Sequence, residues 1–162
     1  MMVQRNAGVA LCFGLMLFIA GSCQSKKTPE IPEVPAPVFE NASYPPLGNA
    51  ELNRLYANAE KVDIIFYNLP VSINQDDAPS AKNTALYVSP TSPTITKNCQ
   101  PLGRLTWVSK GAILKEADLY CEEGCRYFLF MENNKPTAAN AMVPAGIDFF
   151  NGIISQVSPP KK

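Results

Sequence analysis

Between positions 103 and 143, apolar residues either alternate with polar ones or crowd into β-branched and aromatic runs, and short turn-forming groups divide the stretch into four segments. Segment 104–109 runs into Lys110-Gly111, segment 113–121 into Glu122-Glu123-Gly124, and segment 125–132 into Asn133-Asn134; segment 136–143 closes the set. Asn-Asn tolerates the positive φ angles of a two-residue primed turn, and Gly111 and Gly124 adopt them with no Cβ penalty. The pattern predicts an antiparallel meander over 103–143.

Elsewhere the period changes. Over 49–60, Leu52, Leu55, Tyr56 and Ala59 recur at the spacing of one helical face, with Asn49 placed to cap and Glu51 in the first turn, where the helix dipole favours a negative charge. Segment 62–69 is apolar on both faces, with Val62, Ile64 and Phe66 on one and Ile65, Tyr67 and Leu69 on the other. Such a strand is expected inside the sheet and covered on both sides. Pro70 closes it. Gln75-Asp76-Asp77 lacks the alternating oxygen ligands and glycine turn of a calcium loop, so Asp76 or Asp77 reads as the N-cap of a short helical turn with Pro79 near its start. Residues 86–88 suit a short strand and 89–97 a loop or edge segment. Over 144–155, Pro144 opens a last helix on which Ile147, Phe150 and Ile154 share a face widened by Phe149; Gly152 weakens it by about 1 kcal/mol relative to alanine. The sum is one α+β domain over 45–157, an antiparallel sheet of four to five strands packed with the N-terminal and C-terminal helices on one face, followed by a polar tail at 158–162.

The N-terminus is organised differently. One charge, Arg5, precedes an uncharged run over 7–20 that includes Leu11, Phe13, Leu15, Met16, Leu17, Phe18 and Ile19. That run falls short of the roughly 20 residues a permanent membrane helix needs, and it has the layout of a secretory signal peptide. Its end, Ile19-Ala20-Gly21-Ser22-Cys23, resembles the lipobox of bacterial lipoproteins, with Ala20 standing where leucine is commonest. The resemblance covers this segment alone. It implies removal of residues 1–22, diacylation of Cys23, and anchoring of the mature chain to a membrane of the bacterial cell envelope. Gln24 in place of Asp implies the outer membrane, by analogy with enteric sorting. Residues 23–44 carry Pro29, Pro32, Pro35 and Pro37 among Glu and small residues, the composition of an extended spacer.

Charge and chemistry narrow the function. The 162 residues hold 14 basic and 14 acidic groups, and no basic stripe of the kind nucleic acid requires. There is no histidine, which removes the commonest general base and metal ligand. No Gly-x-Ser-x-Gly elbow, phosphate-cradling loop or His-Glu-x-x-His appears. Glu116 and Asp118 share a face of one strand, where two solvated carboxylates are the expected reading. Trp107, Tyr127, Phe128 and Phe130 are expected as core under the two helices rather than as a ligand platform.

Three cysteines remain beyond Cys12 and Cys23: Cys99, Cys121 and Cys125. Running the strands back from Lys110-Gly111 puts Cys99 near Cys121 and Glu122, and the Glu122-Glu123-Gly124 turn puts Cys121 opposite Cys125, so all three thiols are expected at one corner of the sheet. A disulfide from Cys99, to either Cys121 or Cys125, closes a long loop and outweighs the alternative of a soft-metal or redox site made by all three thiols. The expectation is a non-enzymatic envelope lipoprotein without a cofactor. It would meet the membrane through its lipid, and an envelope protein or small ligand through its domain.

Overall fold

A computed structural model describes residues 43–157. Within them lie three helices and six strands: α1 (Asn49–Asn58), β1 (Lys61–Phe66), β2 (Ser72–Gln75), α2 (Ala78–Ala85), β3 (Gly103–Ser109), β4 (Ala112–Glu122), β5 (Cys125–Glu132), β6 (Lys135–Ala141) and α3 (Pro144–Val157). All strands form one antiparallel sheet in the order β2-β1-β3-β4-β5-β6. The fold is α+β, with six strands where four to five were expected.

The additional strand is β2. Four residues of low β-propensity, Ser-Ile-Asn-Gln, carry little signal alone, and pairing with β1 supplies what the sequence does not. Strand β1 lies inside the sheet as its apolar run predicts, but only one of its faces is covered: Val62, Ile64 and Phe66 are buried while Ile65 is 53 % exposed. Residues 86–88 contribute a single bridge, between Val88 and Met142, rather than a strand.

The turns follow their chemistry. Lys110, Gly111, Asn133, Asn134 and Gly124 all take positive φ. The turn after β4 is one residue shorter than expected, because Glu122 stays in the ladder opposite Cys125. A glycine is required at 103 for another reason: a Cβ there would sit 2.3 Å from the carbonyl oxygen of Ile65 on the neighbouring strand.

The helices also differ from expectation in detail. Gly48 in extended conformation, not Asn49, is the N-cap of α1, and it offers no side-chain bond. Asp77 does cap α2, accepting from the Ser80 N–H at 2.9 Å, with Pro79 in the first turn. All three helices pack on one face, where Leu55, Ala81 and Phe150 meet Val62, Ile64, Leu105, Trp107, Leu119, Phe128 and Phe130. Trp107 stacks on Phe130 and meets Phe128 edge-on, so these three rings pack under the helices as expected, whereas Tyr127 is buried in a separate cluster on the other face. Burying each such side chain contributes about 1.5–3 kcal/mol.

On the opposite face, a smaller cluster of Cys99, Tyr120, Cys125, Tyr127, Leu129 and Ala139 lies toward the β4–β6 end, with Ile95 and Tyr44 packed against it. The β6 edge is sealed by the chain itself. Ala139 N–H bonds to Pro45 O at 3.0 Å, Ala141 N–H to Thr91 O at 2.8 Å and Val143 N–H to Tyr87 O at 2.9 Å. Fully buried Asn140 accepts from Leu47 N–H and donates to Ser89 O, each at 2.8 Å.

Candidate functional site

Among the described residues, the half of this second face that belongs to β2, β1 and β3 has no such cover. The pleat turns Ser72 and Asn74, Asp63 and Ile65, Arg104 and Thr106, and Glu116 and Asp118 toward it, as the pairings Ile65↔Ser72, Asp63↔Asn74, Asp63↔Thr106, Ile65↔Arg104, Arg104↔Asp118 and Thr106↔Glu116 require. Asp63, Ile65, Ser72, Ile73, Asn74 and Thr106 line a shallow trough of about 390 Å³. Asn74 donates a short side-chain hydrogen bond to Asp63 across one wall.

A polar cluster stands beside the trough. Asp118 is 2 % exposed. It accepts from Arg104 Nε at 2.8 Å and from the Tyr67 hydroxyl at 3.1 Å, both on Oδ1. This corrects the reading of Asp118 as a solvated carboxylate; Glu116 stays half-exposed, with Thr106 Oγ1 at 3.4 Å. Burial first, and then the negative Asp118, push the Tyr67 hydroxyl up to about 12, so it keeps its proton and donates. The bond to Asp118 raises the Arg104 value in turn. A carboxylate, a guanidinium and a tyrosine hydroxyl held on one oxygen give the cluster a fixed geometry. The sequence marks Tyr67 only as part of an apolar strand face and does not single out Arg104.

The cysteines do not meet at one corner. Cys99 and Cys125 form a disulfide on the second face. Because Cys121 pairs with Arg126, one residue out of the expected register, its side chain goes to the helix-bearing face and lies buried as a free thiol. A one-residue slip exchanges the faces of a strand. The three-thiol site is therefore not assembled, and among the described residues no group of three or more His, Cys, Asp or Glu side chains is placed to hold a metal ion. Cys23, the expected lipid site, lies outside the described residues.

No family model, curated protein or solved structure matches this chain. Its chemistry has to be read from its own residues.

Burial raises the Cys121 thiol from 9.0 to about 11, with Arg126 partly offsetting the rise. At pH 8 the native thiolate is then populated at only about one part in 10³. Labelling with a disulfide reagent will be at least about 100-fold slower in the folded chain than in the unfolded one; fast native labelling would show that the thiol is open to solvent. The sign for stability follows. The folded value lies above the unfolded one, so Cys121's contribution is complete below pH 9.0 and drains away as pH rises toward about 11.

Proposed function

We propose that this chain is a lipid-anchored bacterial cell-envelope protein whose domain binds a partner or ligand without catalysis. The observation that carries the anchor is the segment Ile19-Ala20-Gly21-Ser22-Cys23, which follows a short apolar run and precedes a proline-rich spacer. Cys23 is the acylated N-terminus of the mature chain, and the outer membrane is the destination that Gln24 favours. Two or three acyl chains suffice to hold a domain on a bilayer. Among the described residues no helix is long and apolar enough to cross a membrane. Binding, rather than catalysis, is supported by the trough: it combines an exposed Ile65 with hydrogen-bonding groups, while the charged cluster beside it is locked.

Expression in a bacterium with an alkyne-tagged fatty acid tests the anchor. The wild-type chain is expected to carry the label and to lose residues 1–22. Cys23→Ser should abolish both, giving an unlabelled chain that still carries residues 1–22. An unlabelled wild-type chain would overturn the reading.

A further inference from the structure

We propose that the outer edge of β2, together with the trough beside it, takes up an extended basic segment of another protein as a seventh strand. This rests on the binding reading above and names the class of partner. The two edges of the sheet are finished differently. At β6, loops of the same chain supply backbone and side-chain partners. Strand β2 pairs with β1, and among the described residues no backbone group bonds to its other side. Of the usual guards against edge pairing it has only its shortness, four residues. Ser72, Ile73, Asn74 and Gln75 include no lysine or proline, and their pairing with β1 is regular.

An added strand takes affinity from main-chain hydrogen bonds and specificity from alternate side chains. Here those side chains would reach the trough, where Ile65 supplies an apolar contact. Charge selects the occupant. Arg104 and Asp118 neutralise each other, which leaves Asp63, Asp76, Asp77 and Glu116 around the edge and face against Lys61 and, on the adjacent α2, Lys82. A second copy would bring the same acidic set across the junction and be repelled. The chain's own spacer, with Pro29, Pro32, Pro35 and Pro37, lacks the N–H groups a ladder needs. A segment of another protein that alternates Lys or Arg with β-branched residues meets both requirements.

The test uses the full chain in detergent and fluorescent peptides of about eight residues, alternating Lys and Val or Glu and Val. The basic peptide is expected to bind at least about tenfold tighter than the acidic one, with gained hydrogen-exchange protection at β2 amides. Ser72→Lys, at an exposed position, should weaken it at least about tenfold while leaving the melting temperature unchanged. Equal binding of both peptides, or protection confined to another surface, overturns the proposal. So does concentration-dependent self-association that protects β2, which gives the edge to a second copy. In vivo crosslinking from position 72 separates this from the wider reading. A partner captured only through the helical face would leave the binding module standing without its β2 edge. An unlabelled Cys23 would remove the anchor without touching the peptide result.

Discussion

Arg104→Met will lower the free energy of unfolding by about 3 kcal/mol, because it leaves Asp118 as a buried charge with only a tyrosine hydroxyl to face it. Arg104 is itself about a quarter exposed, at 24 % of its side chain, so the lower end of the range for broken buried pairs applies. Urea denaturation with an unchanged slope is the measurement. Adding Asp118→Asn should restore most of the loss, since asparagine still accepts from Tyr67 and no longer carries charge. A loss below about 1 kcal/mol, the value of a surface pair, would show that water reaches Asp118.

Replacing Cys99 and Cys125 by alanine should cost about 3.5 kcal/mol on loop-entropy grounds, for a bridge between residues separated by 26 positions. The structural consequence is local. The bridge pins the irregular segment ending at Cys99 to the start of β5, and that segment carries Ile95 over the stacked pair Tyr120 and Tyr127, whose rings lie 4.3 Å apart. The near-ultraviolet tyrosine signal should therefore weaken along with stability, while far-ultraviolet bands from the sheet persist below the transition. A double variant as stable as the wild type would mean that the segment is held by its packing alone.

Much of this fold was legible because local chemistry and final structure agree. Lys110-Gly111 and Asn133-Asn134 can turn only one way at their φ values, and the meander follows from them. Two registers and one strand resisted, for physical reasons. The first is the bulge between β3 and β4. Val108 pairs with Ile113 but Trp107 with Lys115, so Leu114 is skipped and every later partner moves by one. Without the bulge Arg104 would face Ala117; with it, Arg104 faces Asp118 and the charged cluster exists. A bulge has no reliable sequence mark in a segment such as Ile113-Leu114-Lys115. The second is the turn after β4, where a two-residue loop in place of three carried Cys121 to the other face and left Cys125 to Cys99. Strand β2, too short and too polar to declare itself, is visible only once β1 is there to pair with it. The trough was illegible for the same reason, since Ser72, Ile73 and Asn74 of its lining come from that strand.

The way the chain enters the domain has a mechanical consequence. Residues 44–47 pass along the β6 edge, fastened by Pro45 O to Ala139, by Leu47 N–H to Asn140 and by the buried Leu47 side chain. Force drawn through the N-terminus loads these few bonds one after another, as in opening a zipper, before it reaches any strand ladder. The lead would peel away at low force and free several residues, sparing the six strands. Asn140, which ties the lead on one side and Ser89 on the other, is the catch where that peeling starts to cost the fold.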